Sequence, residues 1–108
     1  MEHLIDSFDK IINLIHCENI NLVILGDLNV DMFKQNKLSD CLEVNGLANI
    51  IKEATCNKGK PSLIDLIISN KPRRLMNALS VDTGLSDFHN LICAASRFDI
   101  PKQNFPQI

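Results

Sequence analysis

The sequence predicts a small domain of the α/β (α+β) class, built on one small mixed sheet with helices on one face. Two short runs are typical of interior strands: residues 21–25, apolar after Asn21, and residues 63–68, which only Asp65 interrupts. The N-terminal segment instead has apolar residues at helical spacing, typical of a helix that covers a sheet. At 108 residues the chain has room for one domain.

The remaining elements follow from the same patterns. The apolar face of the first helix is formed by Leu4, Phe8, Ile11, Ile12 and Ile15. A second, short helix near residues 37–45 ends at Gly46, which suits a left-handed cap. Strands are predicted at residues 20–25, 47–51, 62–69, 75–81 and 89–95. Residues 1–98 then form the domain, and residues 99–108, with two prolines, form a linker-like tail.

The composition argues against several classes of protein. A net charge of −2 does not favour strong nonspecific binding to nucleic acids. The four cysteines are irregularly spaced and no histidine lies at zinc-ligand spacing to them, so we expect reduced thiols in a cytoplasmic or nuclear protein. Charged residues interrupt the N-terminal apolar pattern, so we expect neither a signal peptide nor a membrane span.

The predicted sheet has more apolar surface than the helices can cover. Both strong strands are apolar on both faces, and such strands need cover on each side. The two predicted helices suffice for one face. We therefore expect the other face to take a partner, by self-association or by binding another protein.

Polar residues follow the first strand directly. Asp27 and Asn29 lie two positions apart, so alternation along an extended chain places both side chains on one side. A carboxylate can orient or deprotonate a water, and a carboxamide can donate to a phosphate oxygen. The alternative is an Asx turn that only closes the strand.

Three later residues have similar potential. Asp65 lies inside an apolar run, where a carboxylate is costly unless it has a partner; the alternative is an edge position that faces water. Asp87 is a candidate metal ligand and His89 a candidate base or phosphate donor, although a histidine in a polar turn is more often solvated. Loop cations could contact a phosphate backbone or simply be solvated: Lys58, Lys60, Lys71, Arg73 and Arg74.

Taken together and in this order, the motifs resemble the C-terminal half of the endonuclease/exonuclease/phosphatase superfamily, in particular the endonuclease domain of non-LTR retrotransposons. The resemblance extends from Leu22 to about Ala95. The matching segments are Gly26-Asp27-Leu28-Asn29, Gly46-Leu47-Ala48-Asn49-Ile50-Ile51, Thr55, Ser62-Leu63-Ile64-Asp65-Leu66-Ile67 and Gly84-Leu85-Ser86-Asp87.

The resemblance implies half of a four-layer α/β/β/α sandwich and hydrolysis of DNA phosphodiesters with Mg²⁺ or Mn²⁺. Asp27 would then position the attacking water, and Asn29 would hold the scissile phosphate. Asp87 would bind the metal, directly or through water. Asp65 would hydrogen-bond the catalytic histidine and stabilise its charged form.

The chain departs from the family pattern in two places. Where the family usually has Ser-Asp-His, Phe88 stands at the histidine position and His89 follows it. Because neighbouring side chains on an extended segment point to opposite faces, His89 is expected to need a bulge or slip to reach Asp65. The family's N-terminal half, with its metal-binding Glu, has no counterpart here.

We therefore expect a truncated, metal-dependent DNA endonuclease-like domain of retrotransposon origin, weak or inactive alone. A non-catalytic module that pairs through its uncovered sheet face is the alternative. A phosphomonoesterase or phosphoinositide phosphatase of the same superfamily ranks last, because no lipid-phosphatase signature is present.

Overall fold

Two helices and five strands follow one another in this computed structural model, which describes residues 2–18, 21–84 and 86–96. The elements are α1 (Glu2–Glu18), β1 (Val23–Asp27), α2 (Lys37–Val44), β2 (Ala48–Asn49), β3 (Asp65–Ser69), a 3₁₀ turn (Pro72–Arg74), β4 (Leu75–Val81) and β5 (Leu91–Ser96). The predicted α+β class is confirmed. The predicted tail at residues 99–108 and the predicted strand start at residue 20 lie outside the described residues.

The strands form two antiparallel sheets, so the expectation of one mixed sheet was wrong. The first sheet has the order β1-β3-β2, and the second pairs β4 with β5. The apolar pattern identifies a strand but does not specify which strand pairs with it. Here β4 follows the 3₁₀ turn and pairs only with β5 among the described strands. The Ser80 hydroxyl of β4 donates to the Ala54 carbonyl (2.6 Å), which connects the second sheet to the loop between β2 and β3 of the first sheet.

Strand β3 lies at the centre of the molecule. Its neighbours in the sheet are β1 on one edge and β2 on the other. Leu66 and Ile68 point to one face and Ile67 to the other, by strand alternation, and all three are buried. The same hydrophobic core contains the buried helical residues Phe8, Ile12, Leu38 and Leu42. A strand buried on both faces is what its apolar sequence predicts.

The second sheet covers the Ile67 face of the first only in part. Ile92 and Ala94 of β5 pack against the core. On the neighbouring strand β1, Val23 and Leu25 stay 39% and 66% exposed. A cavity of about 320 Å³ lies between the sheets, lined by Val23, Leu25, Ile67, Leu75, Ile92, Cys93, Ala94 and Ser96. Apolar surface is therefore left open on the side where the sequence predicts an uncovered face.

Helix α2 has clear signals at both ends. The Asn36 side chain accepts from the Ser39 N–H, and the Asn36 N–H donates to the Ser39 hydroxyl, which together form a capping box. At the other end Gly46 has a φ of +69°, so the predicted left-handed cap is present. Within the described residues, no helix is long and apolar enough to cross a membrane.

The loop after β1 is fastened to the segment that leads into β3. The Asp31 carboxylate accepts hydrogen bonds from the N–H groups of Leu63 (3.0 Å) and Phe33 (3.1 Å). The Met32 N–H donates to the Leu63 carbonyl at 2.8 Å. The hydrogen bond from Leu63 lowers the pKa of Asp31 below its usual value, because it stabilises the charged carboxylate.

We predict that Asp31→Ala destabilises the fold by about 1–2 kcal/mol at pH 7, through the loss of both hydrogen bonds. Because the pKa of Asp31 is lowered on folding, its stabilising effect is present above about pH 4 and is lost as the pH falls through the folded pKa. The difference between wild type and variant should thus shrink on acidification. Chemical denaturation at pH 7 and pH 3 measures it.

The exposed Asp6 of α1 offers a matched control, since Asp6→Ala removes a carboxylate from another surface. An equal loss of stability in Asp6→Ala, or a penalty for Asp31→Ala that does not change with pH, would contradict this account.

Candidate functional site

Two carboxylates face each other at one end of the first sheet. Asp27 is the last residue of β1, Asp65 is the first of β3, and the antiparallel register pairs them directly. Like charges directly opposite in a sheet are destabilising. By alternation both side chains lie on the same face as Leu25 and Ile67, which is the side of the cavity between the sheets. This arrangement calls for a positive group nearby.

His89 supplies that group. Its Nδ1 lies 2.8 Å from Asp65 Oδ2, and the side chains of the pair are 39% and 15% exposed. Asp27, Asp65 and His89 each offer one ligand atom within 4.8 Å of the others. We call these three residues the carboxylate–histidine cluster. Three of the predicted site residues are thus brought together from segments that are distant in the sequence.

His89 reaches Asp65 from a bend at residues 86–88 and not from a regular extended strand, so the alternation expected of neighbouring side chains does not apply there. It forms an antiparallel bridge with Cys56, while the Phe88 carbonyl accepts from the Asn57 N–H (2.8 Å). The next residue, Asn90, donates its N–H to the Thr55 carbonyl at 2.7 Å. The segment around His89 therefore lies beside residues 55–57. Its position there turns the imidazole towards Asp65, and Phe88 stays 46% exposed.

Thr55 is a positioning residue to which sequence reasoning gave no role. Its side chain is fully buried, and its hydroxyl accepts from the N–H groups of Ile64 (3.2 Å) and Asp65 (3.0 Å). The Thr55 hydroxyl thus fixes the backbone of Asp65, and the Thr55 carbonyl, which accepts from the Asn90 N–H, fixes the segment that contains His89. The only sequence signal was its place among the matching motifs, because a threonine in a loop is otherwise ordinary.

The pKa of His89 is raised above its usual value of 6.5. The main cause is the hydrogen bond to Asp65, and the negative charge of that carboxylate adds to it. Partial burial opposes the shift, while the charge of Asp27 contributes in the same direction. The cluster therefore favours an imidazolium, which can donate a hydrogen bond to an anion.

The other two predicted site residues lie outside the cluster. Asn29 adopts a φ of +53°, and its N–H donates to Asp27 Oδ1 at 2.8 Å. This is the geometry of an Asx turn, so the backbone at Asp27 and Asn29 forms the strand-closing turn that was the alternative to a binding role. It also orients the Asp27 carboxylate. Asp87 is exposed, two residues before His89, and does not belong to the cluster.

Lys58, one of the candidate loop cations, follows Asn57, whose N–H donates to the Phe88 carbonyl next to His89. Lys58 lies over the ring of Phe88, with its Nζ 5.5 Å from the centroid, as in a cation–π contact. Lys60, Arg73 and Arg74 belong to loop or turn segments.

The chain matches no protein-family model, no curated protein and no solved structure. Its class is therefore defined by its own fold and site. It is a small α+β protein with two antiparallel sheets, in which two opposed carboxylates and a histidine lie together at one end of the first sheet.

We predict that Asp65→Asn lowers the pKa of His89, because it removes both the charge and the acceptor that stabilise the imidazolium. Since the folded pKa of His89 is raised, the pair stabilises the fold below about pH 6.5, and this contribution is lost as the pH rises through the folded pKa. An NMR pH titration of the histidine ring signals measures the shift.

Asp87→Asn is the matched control for this titration, because Asp87 is a nearby carboxylate that is not among the causes of the shift. A His89 pKa that is the same in wild type and Asp65→Asn would show that the contact does not form in solution.

Proposed function

We propose that this chain carries residues of a metal-dependent phosphodiesterase site of the kind found in the DNA endonucleases of non-LTR retrotransposons, and that alone it is weak or inactive. The observation that supports this most is the contact of 2.8 Å between Asp65 and His89, with Asp27 directly opposite Asp65. The carboxylate of Asp65, at the start of an apolar strand, is paired with an imidazole, and paired titratable groups of this kind are common at catalytic sites.

Each residue of the site has a role in this proposal. The charged imidazole of His89 donates a hydrogen bond to a phosphate oxygen, and Asp65 keeps the imidazole charged and oriented. The Asp27 carboxylate accepts a hydrogen bond from the attacking water and so orients it. Asn29, exposed beside Asp27, offers its amide to another phosphate oxygen.

The implied Mg²⁺ or Mn²⁺ does not fit well at the residue that the resemblance assigns to it. Asp87 is exposed, and among the described residues it belongs to no group of three or more carboxylate, histidine or cysteine side chains at ligand spacing. Hard cations prefer several oxygen ligands, so one carboxylate holds them weakly. This supports a weak or inactive chain, and we derive no step through the metal.

The partner and the location follow from the same proposal. The substrate is DNA, bound through its phosphates. The unpaired cysteines Cys41, Cys56 and Cys93 favour a reducing compartment, so we place the chain in the cytoplasm or nucleus.

We predict that a short DNA duplex added with Mg²⁺ shifts the ring signals of His89 in NMR spectra, because a phosphate oxygen accepts from the imidazolium. Asp65→Asn should reduce this response several-fold at neutral pH, since the pKa of His89 is then no longer raised by the carboxylate and less of the imidazole is charged. Asp6→Asn, which removes an exposed carboxylate of α1, should leave the response unchanged. With the same protein, supercoiled plasmid should be nicked little or not at all.

Two results would count against the proposal. If the ring signals of His89 do not shift at any DNA concentration, the proposed phosphodiester site is refuted. Robust nicking that is abolished in Asp27→Ala would support the site but overturn the statement that the chain is weak or inactive alone.

A second candidate function, a module that pairs with a second copy of itself, is favoured by the outer face of the second sheet. The register pairs Val81 with Leu91, and Leu79 lies two residues before Val81 on the same strand; all three apolar side chains are exposed. Neither β4 nor β5 contains a charged side chain that pairing would desolvate. Exposed apolar patches of this kind commonly mark interfaces.

This second candidate predicts a dimer whose population rises with concentration and is abolished by Leu79→Lys. The control is Leu14→Lys, because Leu14 of α1 is also exposed but lies on another element. Sedimentation velocity over a concentration series measures the effect. A wild-type monomer at every concentration would exclude the module.

A further inference from the structure

The carboxylate–histidine cluster combines two features that a single hydrogen bond does not fully explain. Asp27 and Asp65 oppose each other in the sheet, and His89 makes its contact of 2.8 Å with Asp65 alone. No bond from His89 to Asp27 accompanies it in the described structure; the carboxylate of Asp27 accepts only from the Asn29 N–H. The exposed Asp27 carboxylate therefore retains oxygen lone pairs that no described donor occupies.

We propose that Asp27, Asp65 and His89 form a binding site for a divalent transition-metal ion, with Zn²⁺ or Mn²⁺ preferred over Mg²⁺. The inference does not depend on phosphodiester hydrolysis, and it moves the metal from Asp87 to the cluster.

The spacing of the ligand atoms supports this assignment. Ligand atoms around a tetrahedral Zn²⁺, with bonds of about 2.0–2.1 Å, lie roughly 3.3 Å apart. His89 Nδ1 and Asp65 Oδ2 lie 2.8 Å apart, and all three ligand atoms fall within 4.8 Å of one another. Small rotations of the side chains are enough to bring them to coordination distance, and two of the three residues are fixed by strand pairing.

The chemistry of the donors selects the ion. One imidazole nitrogen with two carboxylates is a mixed nitrogen and oxygen set, which suits Zn²⁺ and other first-row ions, whereas Mg²⁺ requires oxygen ligands and retains its waters. A ligating imidazole must be deprotonated, so the ion displaces the proton from His89 Nδ1 and replaces the hydrogen bond to Asp65. Its double charge also neutralises both opposed carboxylates, which a singly charged imidazolium cannot do. Three protein ligands leave a coordination position for water, as in catalytic rather than structural zinc sites.

The surroundings hold the ligands in place. The Thr55 hydroxyl fixes the backbone of Asp65, and the Asn29 N–H fixes the carboxylate of Asp27. The bridge between Cys56 and His89 positions the third ligand. Such supporting contacts typically change metal affinity by 10–100-fold when they are lost. The site is therefore organised before any ion arrives.

The test is titration of the purified full chain with Zn²⁺ alone and with Mg²⁺ alone, followed by calorimetry. We expect one Zn²⁺ per chain, bound at least tenfold more tightly than Mg²⁺. His89→Ala and Asp27→Asn should each weaken Zn²⁺ at least tenfold, and Asp87→Asn should leave it unchanged. Circular dichroism checks that each variant is folded, and both substituted side chains are partly or fully exposed, so the fold should persist.

Mn²⁺ gives a second readout that thiol binding does not imitate, because thiolates select softer ions. Paramagnetic broadening should reach the ring signals of His89 first and spare those of His3 in α1. Retention of wild-type Zn²⁺ affinity in His89→Ala, or its loss in Asp87→Asn, would overturn the inference. So would broadening that spares His89.

The failure of this inference is distinguishable from that of the proposed function. If the His89 signals respond to DNA but His89→Ala and Asp27→Asn leave the Zn²⁺ affinity unchanged, only the metal site is refuted. Binding of Zn²⁺ at the cluster without any response to DNA would remove the phosphodiester site only.

Discussion

The structure depends on the burial of one strand on both of its faces. Leu66 and Ile68 of β3 are inaccessible to solvent and Ile67 is 4% exposed, so neighbouring elements must cover both sides. β1 and β2 take its edges, the buried residues of both helices join Leu66 and Ile68 in the core, and β5 approaches the Ile67 side. The other strands of the first sheet, and β5 of the second, are placed by their contacts with this strand.

The candidate site follows from the same constraint. Asp65 begins β3, so the pairing that buries the strand also sets this carboxylate opposite Asp27. The loop around Thr55 covers the start of the strand and carries with it the segment of His89. The cost of an acidic residue next to a buried strand is offset by an imidazole that the fold brings within 2.8 Å. The contacts that bury β3 therefore also bring the three side chains of the cluster together.

The open apolar surface is the other consequence. The second sheet has two strands, too few to cover all of β1, so Val23 and Leu25 remain accessible. The outer face of that sheet is also uncovered at Leu79 and Leu91. The cluster lies at the end of the first sheet, on the face that also carries Leu25, and Asp27 within it is exposed.

Local patterns were enough to predict the helices, the strong strands and the Gly46 cap, because periodicity and capping act over a few residues. They were also enough to select Asp27, Asp65 and His89 as candidate site residues, because the cost of burying a charge is visible in the local sequence. Only the tertiary structure decided that the strands divide into two antiparallel sheets and that His89, despite Phe88 before it, turns to Asp65. It also separated Asp87 from the cluster and gave Thr55 its role. These depend on which segments lie side by side, and such pairing is set by contacts between residues far apart in the chain.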